Sequence, residues 1–392
     1  LSLSLSLSLS LSLSLSLSLS TPMSHPSCIL RLANTSYPQV KEVTIMIKYL
    51  GSKRRLVSVL GDLFEASGAT TAVDLFTGTT RVAQEFKKRG GFVTAVDISR
   101  YSEVFSKCYI ETDASSVNEA ELKEALDHLS NLPGEAGYFT DTFCIQSRFF
   151  QPFNGERVDA IRNAIETDFQ GSPLYPILLT SLIEGADRVD STAGVQMAYI
   201  KKWAKRSFNA LELRVPELLP GRGVALRGDA NKLSADIGPF DLAYLDPPYN
   251  QHRYFTNYHI WETLVAWDSP EFYGVACKRI DSRDTETKSL YNRKREMPEA
   301  LAHAITSINA ETLIVSYNNE SWVEKDALID TCKAHGEVVV LAFESKRYVG
   351  AQIGIFNPSG DKVGKVSHLT NLEYVFVAGD PKTVKKMTEK FI

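Results

Sequence analysis

Apolar positions recur along the chain in short blocks that alternate between two periods. Thr71-Ala72-Val73-Asp74-Leu75-Phe76 is β-rich, and the turn Thr77-Gly78-Thr79-Thr80 follows it. Val82, Ala83 and Phe86 then recur at helical spacing, with Lys87-Lys88-Arg89 in the last turn and Gly90-Gly91 as the stop. Thr79 or Thr80 is the expected helix cap. The next strand is Phe92–Asp97. The unit therefore reads strand, Gly-containing turn, helix, strand, and it closes on an acid. Further strands are predicted at Ala225–Arg227, Phe240–Leu245, Thr312–Ser316, Glu337–Phe343 and Leu372–Val377, the last two as a terminal pair. The spacing between Asp97 and Asp246 is too long for one more strand-helix pair. Residues 135–224 are read as an inserted, mainly helical unit, on the helical spacing of Val158, Ile161 and Ile165 and the apolar run Pro176–Ile183. Lys201, Lys202, Lys205 and Arg206 fall on one helix-like segment, which a solvated face explains as well as a binding surface does.

The first 20 residues depart from this pattern: they are ten Leu-Ser pairs. Alternation gives one apolar strand face but no unique register, and a lone strand is unstable. Residues 1–45 are expected to be a low-complexity tail and linker, disordered, with the folded part starting at Met46. A CT dinucleotide repeat encodes such a tract in every frame, so repeat slippage offers a phase-variable switch. Initiation at Met23 or Met46 would leave the tract without effect on the protein.

Composition narrows the class. With 44% hydrophobic and 23% charged residues the chain of 392 is an ordinary globular one. Net charge is −4, which excludes a globally basic nucleic-acid binder but not a local basic patch. Five scattered cysteines without a CxxC pair argue against a disulfide scaffold or a structural zinc site, and no metal is expected. The same cysteine usage fits a reducing cytoplasm, where the protein is expected, and no apolar run reaches a membrane span's length.

The chemistry is concentrated at the exit of the Leu242–Leu245 strand, in Asp246-Pro247-Pro248-Tyr249. Two prolines end the strand and fix the backbone. They would hold a carboxylate, a peptide carbonyl and an aromatic face in one arrangement, at the sheet edge where α/β proteins bind ligands. That set suits an exocyclic amine on a planar ring: two acceptors for the N–H groups and a stacking partner. Asp97 follows Asp74 at near the spacing of about twenty residues typical of a ribose-binding acid, although there is no GxGxxG.

With these residues together, the chain resembles the Dam-like, S-adenosylmethionine-dependent DNA adenine-N6 methyltransferases over roughly Met46 to Val377. Asp246, Pro247, Pro248 and Tyr249 match the catalytic tetrapeptide. Asp74-Leu75-Phe76-Thr77-Gly78 resembles the cofactor loop, in a Thr-containing variant, and Asp97-Ile98 the ribose-binding strand end. Gly228-Asp229-Ala230 resembles the segment contacting the cofactor's adenine. Lys48-Tyr49-Leu50-Gly51-Ser52-Lys53 resembles the N-terminal cofactor segment. The resemblance implies a Rossmann-like class I methyltransferase sheet, with a catalytic domain of 46–134 and 225–392 and a target-recognition region at 135–224. It implies S-adenosyl-L-methionine as cofactor, double-stranded DNA as substrate, a cognate restriction endonuclease as a partner to look for, and a bacterial, nucleoid-associated setting. Arg253 and Tyr254 are candidates for DNA contact, with a core-packing helix start as the competing reading. So are Lys278, Arg279, Lys288, Arg293, Lys294 and Arg295, in a net positive stretch of an acidic chain. The rival readings are a cytosine-N4 methyltransferase, which usually carries Ser at the Asp246 position, and a non-catalytic DNA-binding relic.

Overall fold

The computed structural model describes residues 29–32, 47–49, 51, 53–200, 202–248, 251, 253–346 and 370–392. The Leu-Ser tract, Met46, Leu50, Ser52, Lys201 and Tyr249 lie outside the described residues. One sheet of eight strands organises the fold. They are β1 (Ile29–Leu32), β2 (Thr71–Asp74), β3 (Phe92–Asp97), β4 (Val224–Arg227), β5 (Phe240–Leu245), β8 (Ala310–Asn318), β9 (Glu337–Lys346) and β10 (Thr370–Gly379). A separate two-stranded ribbon joins β6 (Phe272–Tyr273) to β7 (Lys278–Arg279). The spatial order in the main sheet is β1-β9-β10-β8-β5-β2-β3-β4. All neighbours are parallel except β10, which runs antiparallel to both β8 and β9. The predicted terminal pair is thus β9 and β10, and the mixed, mostly parallel sheet agrees with the α/β expectation.

Period-two alternation buries both faces. Ala72, Leu242, Tyr244 and Ile314 enter one apolar cluster, with Phe64 and Phe86 stacked at 4.8 Å on the helices Val57–Ser67 and Arg81–Lys88. Val73, Ala243, Leu245 and Leu313 enter the other, beneath the helices Met297–Ser307 and Lys325–Cys332. The helices Pro152–Phe169 and Tyr175–Val189 send Ile161, Ile165, Leu178 and Leu182 into the first cluster. They extend that layer and share its core.

Three local expectations change. Within 135–224 the long helices are Pro152–Phe169 and Tyr175–Val189. From Asp190 to Gly223 the described residues hold one 3₁₀ turn, Lys205–Phe208, and an isolated bridge between Thr192 and Tyr199, with Arg206 bound to Asp190 and the Thr192 carbonyl. Thr80 stands at the helix start but does not cap it. Its backbone is left-handed (φ 61) and its hydroxyl donates to the Thr79 carbonyl. Finally, β1 precedes the expected Met46 boundary and pairs with β9, Ile29 opposite Val339. Among the described residues no helix is long and apolar enough to cross a membrane.

Candidate active site

The carboxyl ends of β2, β3, β4 and β5 meet at one sheet edge, the ligand edge of α/β folds. A cavity of about 900 Å³ opens there. The chain leaving β2 forms its floor, with Asp74, Leu75, Phe76, Thr77 and Gly78 in the lining. Gly78 is required: its φ is +52, and a Cβ would sit 3.2 Å from the Tyr49 ring. Asp97 at the end of β3 ties the loop down. It accepts N–H bonds from Gly78 and Ser99, both at 2.9 Å, while the Ser102 hydroxyl donates to the Gly78 carbonyl at 2.6 Å. Burial pushes the Asp97 carboxyl upward against those donors. Ile98 is exposed and lines the cavity beside it. Beyond β4, Asp229 accepts the Asn231 N–H at 2.9 Å, starting the short helix that holds Ala230 in the lining.

The exit of β5 brings Asp246, Pro247 and Pro248 to this edge. Asp246 and Pro248 line the cavity, and Pro247 is buried behind them. Lys53, 8% exposed, lies 3.1 Å from the Asp246 carboxylate and 3.4 Å from Glu373 on β10. Burial pushes Asp246 up to about 6, with Lys53 pulling it down and Glu373 pushing it up. Burial also pushes Asp74 to about 8, opposed by the Phe76 N–H and reinforced by the Asp246 charge. Tyr49 stacks on Tyr258 at 4.6 Å and lies 5.4 Å from the Tyr254 ring, forming an aromatic wall.

Several candidates are placed differently from their sequence reading. Lys48 turns away from the cavity to Asp187 and Asp190, both at 3.1 Å, pinning the N-terminal segment to the Tyr175–Val189 helix. Tyr254 belongs to the aromatic wall and also lines the cavity, while Arg253 is exposed. Arg279 is buried at 2% exposure, its guanidinium forked between Asp268 and Asp281 at 2.7 Å each. No donor is left for a phosphate, so Arg279 leaves the DNA-binding set. Lys288 and Arg293 line the cavity, within a 285–293 segment that roofs it. Tyr291 of that roof meets Phe76 edge-on at 4.9 Å. Lys278 stands over the Tyr273 ring, and Lys294 and Arg295 are exposed.

Sequence reasoning missed Arg81, Glu262 and Glu373. Glu262 is buried, lines the cavity and accepts the Arg100 N–H at 2.8 Å. Burial raises it to about 7. Only Glu373 carried a signal, as an acid inside the apolar run Leu372–Val377.

Comparison with known proteins decides between the readings this geometry permits. The family model of the D12 class N6 adenine-specific DNA methyltransferases matches residues 49–330, a span containing Tyr49, the β2 loop, Asp97 and Asp246. The chain belongs to this family. D12 class methyltransferases are enzymes that use S-adenosylmethionine as methyl donor. Among curated relatives, Type II methyltransferase M.NlaIII of Neisseria lactamica is 30% identical over 77% of this chain and 92% of its own length. Type II methyltransferase M.FokI of Planomicrobium okeanokoites is 29% identical over 74% of this chain and 47% of its own. Modification methylase StsI of Streptococcus sanguinis is 30% identical over 73% and 46%. The chain thus spans about half the length of M.FokI and StsI.

Proposed function

We propose that this D12 class chain methylates adenine N6 at a specific sequence in duplex DNA, with the cavity at the sheet edge as its cofactor site. The observation that carries the proposal is the placement of Asp246, at the exit of β5, in the wall of the cavity that Asp97 and the β2 loop also line. The lining suits S-adenosyl-L-methionine. Carboxylates at Asp97 and Asp229 offer acceptors for ribose hydroxyls and an adenine amine, Ile98 an apolar ring contact, and Gly78 an uncluttered floor. When bound, that cofactor supplies a methyl already activated by its sulfonium.

The chain's own residues do the rest. Adenine N6 is a poor nucleophile because its lone pair is delocalised into the ring. The Asp246 carboxylate and Pro247 carbonyl accept its two N–H bonds, favouring a pyramidal nitrogen with a localised pair. Lys53 fixes the carboxylate for that task, and holding both partners together lowers the barrier further. The target base has to leave the duplex to reach this wall, and Tyr249 is its stacking partner. Arg253, Lys278, Lys288, Arg293, Lys294 and Arg295 remain candidates for phosphate contact, and Tyr254 for contact with the DNA. Residues 135–224 remain the candidate target-recognition region. The names of M.NlaIII and M.FokI support a role in a restriction-modification system with a cognate endonuclease. Single-molecule sequencing of DNA from cells making the protein tests the proposal. N6-methyladenine in one sequence context is expected, and cytosine-N4 methylation would support the rival enzyme.

A further inference from the structure

S-adenosylmethionine carries two unlike ends, a nucleoside and a zwitterionic amino acid. The roles above serve the nucleoside and the methyl but leave the methionine carboxylate without a cation. Most cations of the cavity wall are engaged. Lys53 holds Asp246, Arg100 lies 3.6 Å from Glu262, Arg227 3.4 Å from Glu103, and Arg293 2.7 Å from Glu296. Lys288 donates to the Arg283 carbonyl. Arg81 differs. It is the first residue of the Arg81–Lys88 helix, directly after the β2 loop, and it lines the cavity. Its Nε is buried, with no hydrogen-bond partner among the described residues. A buried guanidinium donor without an acceptor is costly, and a ligand acceptor relieves that cost. The neighbouring charges leave room for one. Burial, and after it the Arg54 charge, lowers Arg81 to about 10. The Glu184 charge raises it, but Glu184 accepts the Tyr109 hydroxyl at 2.6 Å and makes no ion pair with Arg81 among the described residues. Arg81 therefore lines the cavity with positive charge to spare, and the Arg54 charge adds to that potential. A guanidinium fork matches a carboxylate in shape as well as charge.

We infer that Arg81 binds the carboxylate of the cofactor's methionine moiety and so selects amino-acid-bearing S-adenosyl compounds over simple nucleoside thioethers. The inference rests on the cavity being the cofactor site. The test is calorimetric, without DNA or turnover. S-adenosylhomocysteine and 5′-methylthioadenosine, which lacks the amino-acid group, are titrated into the parent, Arg81→Gln and Arg81→Lys proteins. Arg81→Gln is expected to weaken S-adenosylhomocysteine roughly 10- to 100-fold, the range of a lost charge-assisted pair. Methylthioadenosine affinity stays within about twofold, which also reports an intact fold, and Arg81→Lys recovers part of the loss. An equal loss for both ligands, or unchanged homocysteine binding in Arg81→Gln, overturns the inference. Weaker DNA binding by Arg81→Gln with S-adenosylhomocysteine binding unchanged also overturns it and makes Arg81 a phosphate contact. Failure of the parent to bind either ligand overturns the cavity assignment itself.

Discussion

At the scale of single residues, the site turns on how Asp246 is held. A carboxylate that accepts N6–H bonds has to be ionised. Burial raises Asp246 to about 6, so transfer is expected to be level above neutrality and to fall as pH drops through about 6. Lys53 opposes that rise and Glu373 adds to it. Lys53→Gln should therefore move the acid limb to higher pH, and Glu373→Gln to lower pH. Rate profiles for the three proteins check the signs, and a limb unmoved by Lys53→Gln would separate Lys53 from Asp246. Asp97 gives a second prediction. If its carboxylate takes ribose hydroxyls, Asp97→Ala should weaken S-adenosylmethionine by about 1–3 kcal/mol, the cost of losing charge-assisted bonds. Calorimetry with unaltered affinity would remove Asp97 from the site. That Asp246, Pro248 and Asp97 reach one cavity was legible because each follows a readable strand. Arg81 and Glu262 were not, since a cation after a turn and an acid inside a helix mean nothing until the fold brings them to one cavity.

At the scale of elements, the segment that follows the β5 exit shows what a charge count misses. The stretch 278–295 reads as one basic loop, yet it divides into three parts. Arg279 staples the β6–β7 ribbon to Asp268 and Asp281, residues 285–293 roof the cavity, and Lys294 and Arg295 face outward. The periodicity of such short, irregular pieces is too weak to separate them. The division makes opposite predictions. Arg279→Met strips a buried cation from two carboxylates that remain half-exposed, and should cost about 2–4 kcal/mol of stability in urea unfolding. Replacing Lys294 and Arg295 with Ala should leave stability within about 0.5 kcal/mol, as is usual for exposed positions. It should flatten the salt dependence of DNA affinity by up to about two units of slope. Unfolding midpoints and binding at several salt concentrations distinguish the two, and a stable Arg279→Met protein with weakened DNA binding would restore the original reading. The helices of 152–189 were legible from their spacing. The irregular course after Val189 was not, because Arg206 is held by Asp190 and Thr192, partners that lie outside any local pattern.

At the scale of the whole molecule, the sheet explains why remote changes should spare the site. Buried strands such as Phe240–Leu245 announce themselves by continuous apolar runs, and their parallel order follows from the alternating helices. Four residues at 29–32 give no such signal; β1 is recognisable only by its pairing with β9. Three strands, β9, β10 and β8, separate it from β5 and the cavity. Deleting residues 1–45 should thus lower the melting temperature by a few degrees, as loss of about 1 kcal/mol would. It should leave cofactor affinity and methyl transfer unchanged, and a lost activity in a still-folded deletion protein would contradict that separation. The central claim is that Asp246 presents adenine N6 to the methyl donor. Its most direct test incubates duplex DNA with labelled S-adenosylmethionine and the parent or Asp246→Asn protein, then analyses the nucleosides by mass spectrometry. Labelled N6-methyladenine from the parent and at least a roughly hundredfold loss in the variant, with S-adenosylhomocysteine binding retained, is the predicted result. Label in cytosine, no label from the parent, or transfer by Asp246→Asn near the parent rate would contradict it.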